Sequence, residues 1–115
     1  ESIENDSPDP VVNSLFIKLD ATNISYNNAK KFVKEVLERC ESENIACSSN
    51  TNSKLIGITY LTLSTMIPDL SIEIICDKCP IRKNTLQKFL TSFLKYYNHF
   101  IDLYEKYNIM IKSPN

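Results

Sequence analysis

Residues 55–67, LIGITYLTLSTMI, decide the fold. Only hydroxyl side chains and Gly57 interrupt the apolar run, so no polar face is available. Its β-branched residues Ile56, Ile58, Thr59, Thr62 and Thr65 would also suit a strand. The thirteen-residue length favours a helix. A helix that is apolar nearly all round is a central one, wrapped by others. Within such a helix Gly57 costs about 1 kcal/mol relative to alanine. The compensation expected for it is close approach of a neighbouring helix.

Working outward towards the N-terminus, the polar loop Ser48–Ser53 precedes this segment. Before that loop, Ala29, Phe32, Val33, Val36, Leu37 and Cys40 form one apolar stripe. The stripe predicts a second helix from about Tyr26 to Asn44, with Glu35 and Arg39 as an i, i+4 surface pair. Thr22–Ser25 reads as a turn, with Ser25 as a cap. Asn23-Ile24-Ser25 fits the glycosylation pattern, but in this position it reads as a helix start. Further upstream, Asp9-Pro10 combines a capping carboxylate with a proline that loses no hydrogen bond at the first helical position. Val11, Val12, Leu15, Phe16 and Leu19 then keep helical phase, and this first helix ends near Asp20.

Towards the C-terminus, Pro68-Asp69 stops the central helix, and Asp69 is a cap for a fourth helix over 70–78. Pro80 ends that helix, because the residue before proline avoids the α region. A fifth helix begins around Arg82. Leu86, Phe89, Leu90, Phe93, Tyr96 or Tyr97, Phe100, Leu103 or Tyr104, and Tyr107 hold helical phase to residue 107. An aromatic stripe at this spacing is core packing and not a stacking platform for bases. The whole chain thus predicts an all-α, five-helix bundle with a buried third helix. Helices 4 and 5 form a helix-turn-helix.

One hundred and fifteen residues suffice for one compact core and not for two. A single glycine argues against turn-rich β architectures and against a glycine-rich phosphate loop. Residues 1–9 read as a flexible acidic linker, 10–110 as the helical domain and 111–115 as a tail. Ser7-Pro8-Asp9-Pro10 has the character of a linker to something upstream. Four of the fourteen acidic side chains, Glu1, Glu4, Asp6 and Asp9, lie in that linker. Against thirteen basic groups, ten acidic ones remain, so a formal charge of -1 conceals a domain at +3. No apolar run is long enough to span a bilayer, and no secretory pattern opens the chain. Cys40, Cys47, Cys76 and Cys79 include one CxxC pair without a second close pair, which favours reduced intracellular thiols over a metal site. With one histidine and no nucleophile–base set, the chain does not read as an enzyme. No cofactor or small-molecule substrate is expected.

Charge gathers where helices 4 and 5 meet. Asp77 to Asn98 carries Lys78, Arg82, Lys83, Lys88 and Lys95 against one acid, a local +4. Helix N-termini carry positive partial charge and ordinarily attract Asp or Glu. Arg82-Lys83 places cations there instead, an arrangement that a phosphate would relieve while meeting the free backbone N–H groups. The bland alternative is a solvated charged turn, which costs only a few tenths of a kcal/mol, of the order ~0.3.

Gly57-Ile58-Thr59-Tyr60 in the central helix, Ser71–Cys79 in the fourth and Thr85-Leu86-Gln87-Lys88 with Leu90 in the fifth resemble a cyclin box. Within that superfamily they are most similar to the second cyclin-like repeat of the transcription factor IIB family. The resemblance covers about residues 10 to 105, and the composition suits a divergent member from a large DNA virus. It implies a five-helix domain that docks on double-stranded promoter DNA beside the TATA-binding protein and RNA polymerase. Localisation would be intracellular, in the nucleus or in a cytoplasmic viral factory. By the same resemblance Asn84 and Gln87 occupy base-contacting positions, and Lys78, Arg82, Lys83 and Lys88 would contact phosphates. Gln87 stands where the family often has arginine, which favours adenine edges over guanine. The continuation to Tyr107 has no counterpart in the family's second repeat and is expected to carry an added partner surface. The competing reading is a cyclin-type adaptor that binds a kinase or polymerase subunit without touching DNA.

Overall fold

Two helices of this chain start on short polar side chains. Asn50 accepts the Ser53 N–H at 2.8 Å and opens a helix at Thr51. Ser71, in extended backbone, accepts the Ile74 N–H at 3.2 Å and opens another at Ile72. Asp69, the expected cap, is therefore displaced by two residues, because Ser71 is the one whose hydroxyl reaches a free N–H. Ser25, the expected cap of the second helix, does not serve as one: Asn23 accepts the Ser25 N–H at 2.9 Å ahead of a 3-10 turn, and the helix from Asn27 starts after Tyr26 without a side-chain cap.

The computed structural model describes residues 10–111. Its helices are α1 (Pro10–Lys18), α2 (Asn27–Ser42), α3 (Thr51–Ser64), α4 (Ile72–Lys78), α5 (Lys83–Leu94) and α6 (Ile101–Tyr107). Short 3-10 turns occupy Ile24–Tyr26 and Tyr97–Phe100. No strand occurs among the described residues, and the architecture is an all-α bundle. The Asp9 cap and the acidic linker lie outside the described residues, as do residues 112–115.

Helix ends follow a second rule. With one glycine available, α1, α2 and α6 terminate on Asp20, Asn44 and Asn108, at φ 60°, 58° and 55°. In α1 the Ala21 N–H donates to the Phe16 carbonyl at 2.8 Å and the Asp20 N–H to Ile17 at 3.0 Å. That pair of bonds is the Schellman closure, which satisfies the last free carbonyls. The Ile45 N–H to Cys40 (2.9 Å) and the Ile109 N–H to Tyr104 (3.0 Å) repeat its long bond at α2 and α6. Asn and Asp stand in for glycine because their short polar side chains tolerate the left-handed region.

α3 is the central helix: α1, α2, α4 and α5 all pack on it. Ten of its residues are buried, including Ser53, Lys54, Thr59 and Thr62 as well as the apolar ones. Gly57 has the role expected of it. A Cβ there would fall on the ring of Phe89 in α5, well inside van der Waals contact. The absent side chain is what lets α5 lie against α3.

The predicted long fifth helix is broken. α5 stops at Leu94, and the chain turns through Tyr97–Phe100 before α6. A straight helix over 83–107 would extend roughly 37 Å and carry its aromatic residues past the bundle. Folding back instead buries Phe100, Leu103, Tyr104 and Tyr107. Phe100 stacks on Phe93 at 5.0 Å, and both Tyr104 and Tyr107 meet Phe32 of α2, at 6.0 and 5.9 Å. Carbonyls freed by the break are recaptured: Tyr104 Oη donates to Tyr97 O at 3.0 Å and Arg39 Nη1 to His99 O at 2.8 Å. The aromatic stripe is thus core, as expected, but reached by a turn. The segment beyond Lys95 closes the bundle and so is not merely an added surface.

Polar groups lock this closure. Arg39 makes a two-point contact with Asp102, at 2.7 and 2.9 Å, and does not pair with Glu35 as the i, i+4 rule predicted. Glu35 instead accepts from Lys106 at 3.0 Å and from the Tyr107 hydroxyl. Burial alone would raise the Glu35 carboxyl, but the hydrogen bonds from Tyr107 and Lys106 outweigh it and hold the group below its ordinary value. Asn28 Nδ2 adds a bond to the Tyr107 carbonyl at 2.7 Å. Tertiary partners at a fixed distance displaced the local pair because they bring charge to α6, which no intrahelical pair could hold.

Candidate nucleic-acid interface

The α4–α5 junction is a tight turn. Cys79 caps α4 in extended backbone, and the Ile81 N–H donates back to the Cys79 carbonyl at 2.8 Å across Pro80. Arg82 then occupies the N-cap of α5 at φ -84°, ψ 147°, without a capping side-chain bond. The first turn of α5 has no acidic residue. Its orphan N–H groups therefore have neither a cap oxygen nor a carboxylate from the helix's own first turn.

Burial along α5 separates two faces. Leu86, Phe89, Leu90 and Phe93 face the core. Asn84, Gln87, Lys88, Thr91 and Lys95 are exposed at i, i+3, i+4, i+7 and i+11, and so share one polar face. Arg82 and Lys83 are exposed at its N-terminal end, and Lys78 is exposed across the turn. All six sequence-selected residues, Lys78, Arg82, Lys83, Asn84, Gln87 and Lys88, are thus solvent-accessible around one turn and the start of one helix.

Two of the four cations have carboxylate partners that no local sequence signal indicated. Lys83 Nζ lies 2.9 Å from Glu73 Oε2, and this hydrogen bond holds the Glu73 carboxyl below its ordinary value. Lys78 Nζ lies 3.8 Å from Asp20 Oδ2, at the end of α1. Arg82 and Lys88 take part in no ion pair among the described residues. Sequence reading also missed Lys18. It lines one shallow groove with Pro80, and its charge partly opposes the upward push of burial on the Cys79 thiol. The basic surface therefore draws on the end of α1, some sixty residues upstream.

The cysteines are free thiols: Cys40 and Cys79 are buried, Cys76 is half-buried and Cys47 is exposed. Burial pushes the Cys40 thiol up to about 12. Iodoacetamide at neutral pH should therefore label Cys47 at least about a hundredfold faster than Cys40, which should react only on unfolding. Mass mapping of a time course checks this, and equal rates would contradict the buried position of Cys40. Among the described residues no group of three or more His, Cys, Asp or Glu side chains converges on a metal position. None of the described helices is long and apolar enough to cross a membrane.

No protein-family model matches the chain, and no solved structure matches it. Proteins named as initiation factor TFIIB homologs of African swine fever virus do match, from a tick isolate, a Kenyan pig isolate and a Vero-adapted strain. Each is 32% identical over 82 residues, covering 71% of this chain and 26% of the relative. Over those 82 residues the chain resembles these TFIIB homologs. It spans about a quarter of the length of these relatives. The matched stretch is long enough to include several of the helices described above, and on the exposed face of α5 Lys88 and Lys95 take part in no ion pair among the described residues.

Proposed function

We propose that this chain is the cyclin-like module of a transcription initiation factor, with residues 10–110 as its domain. In this reading it docks on double-stranded promoter DNA within an assembly of TATA-binding protein and RNA polymerase. It acts by binding and not by catalysis, inside the cell, in the nucleus or in a cytoplasmic viral factory. The α4–α5 turn faces the duplex as a helix-turn-helix. Arg82 and Lys88, with Lys78 and Lys83, neutralise phosphates, while Asn84 and Gln87 meet base edges, adenine in preference to guanine. The observation that carries this reading is the N-terminus of α5: it has no side-chain cap and no acid in its own first turn, and Arg82 at the cap position takes part in no ion pair among the described residues. A phosphate would satisfy both its N–H groups and its cations.

The adaptor reading draws its support from the two ion pairs. Glu73 and Asp20 already answer Lys83 and Lys78, so part of the cluster is neutralised without a ligand. The test is titration of the chain against AT-rich duplex by fluorescence anisotropy at two salt concentrations. Arg82→Glu combined with Lys88→Glu should weaken binding at least about tenfold and lower the salt slope by about two. Acid at the α5 N-terminus is favourable to the helix, so the melting temperature should not fall. Binding that is unchanged in this variant, or insensitive to salt, sinks the DNA reading in favour of the adaptor.

A further inference from the structure

Asp20 is in a position that disfavours its charge. Its φ of 60° is left-handed, a region that Asp and Asn both tolerate, and the two other helices closed in this way use Asn44 and Asn108. It also follows the last turn of α1, where the negative end of the helix dipole repels a carboxylate. Asparagine would keep the backbone tolerance and lose the repulsion. A carboxylate placed against the dipole calls for a compensating role. Stability is a poor candidate: the contact to Lys78 is 3.8 Å and the Asp20 side chain is 87% exposed. Exposed pairs of that kind contribute little. What Asp20 does have is its location. It reaches across from α1 to the cation at the end of α4, with Lys18 two residues before it beside Pro80.

We propose that the end of α1 is part of the duplex-binding surface, with Lys18 as an added phosphate contact and Asp20 as a built-in counter-ion that holds Lys78 until a phosphate replaces it. This rests on the DNA reading of the α4–α5 turn and extends it to a third segment. Adjacent residues of opposite charge then set the affinity in opposite directions. Lys18 recruits the backbone, and Asp20 limits how tightly any duplex is held, so that sequence-independent binding stays weak. Such a limit suits a module whose placement depends on Asn84 and Gln87, because phosphate contacts add affinity to every sequence alike.

The test uses the 115-residue chain and one AT-rich duplex, by anisotropy at two salt concentrations, with Lys18→Gln, Asp20→Asn and the Arg82→Glu, Lys88→Glu double variant. Lys18→Gln should weaken binding about two- to fivefold and reduce the salt slope by about one. Asp20→Asn should tighten it about two- to fivefold at low salt, with the gain fading at high salt. Its melting temperature should hold or rise by about 1–4 °C, since dipole repulsion is relieved. Loss of binding in the double variant, with Lys18→Gln and Asp20→Asn both within twofold of the parent, overturns this inference and leaves the DNA reading standing. A melting temperature lowered by more than about 2 °C in Asp20→Asn also overturns it, because Asp20 would then be a structural ion-pair partner. No duplex binding by the parent chain, or none that the double variant weakens, removes both.

Discussion

Gly57→Val should lower the melting temperature by about 10 °C or more, the largest effect expected of any single small-to-larger change in this chain. The added Cβ meets the Phe89 ring, which is fully buried. Phe89 packs on Phe93 at 5.5 Å and Phe93 on Phe100 at 5.0 Å, so displacement runs along a row of rings. Overpacking of this kind costs about 1–3 kcal/mol and more when rings must shift together, against a helix-propensity gain below about 1 kcal/mol. The stability of a domain this size is about 5–15 kcal/mol, so the loss is a large fraction. Circular dichroism melts of the parent, Gly57→Ala and Gly57→Val should fall in that order. A Gly57→Val melt within about 2 °C of the parent would mean that α5 can step away from α3, and the proposed close approach would be wrong.

The second large effect concerns the end of the chain. Tyr104→Ala should cost about 3–5 kcal/mol, as for other buried aromatic truncations, whereas Tyr104→Phe should cost about 0.5–1.5 kcal/mol. The difference separates the ring, which packs against Phe32 and Tyr97, from the hydroxyl, which donates to the Tyr97 carbonyl at 3.0 Å. Urea denaturation read by fluorescence and by dichroism would measure both variants. Were residues 95–107 a projecting helix, Tyr104→Ala would change almost nothing. A result below about 1 kcal/mol would therefore restore the reading of that segment as an added partner surface.

These two experiments also mark where local pattern stops being informative. The apolar positions of 83–107 keep helical phase throughout, so periodicity alone reports one helix and cannot register a bend that preserves burial. The bend arises because Phe32 of α2 offers a surface to Tyr104 and Tyr107, and because Arg39 and Tyr104 supply hydrogen bonds to the carbonyls it frees. Both depend on residues brought close only by the packed bundle. Helix boundaries shifted for a related reason. Ser25 and Asp69 are competent caps by type, but Asn23 and Ser71 are the ones whose backbone places an oxygen at a free N–H.

The candidate surface divides in the same way. That Arg82, Lys83 and Lys88 stand at the start of a helix after Pro80 was legible in the chain, as was their exposure opposite Leu86 and Phe89. Their state of pairing was not. Glu73 and Asp20 belong to other helices, and an ion pair between helices depends on a separation that no spacing rule encodes.

Sequence by itself determined the class of fold, since an apolar run of helical length can be buried only by wrapping other helices around it. It determined the need for a small residue at position 57 and the basic charge of the α4–α5 junction. Tertiary structure alone decided that the aromatic end folds back into the core, and which cations at the junction are answered by carboxylates. It also brought Lys18 and Asp20 to the edge of that junction. The physical reason is common to all three: periodicity and capping are encoded within a few residues, whereas ring stacking and ion pairing between helices depend on distances set by the whole packed core.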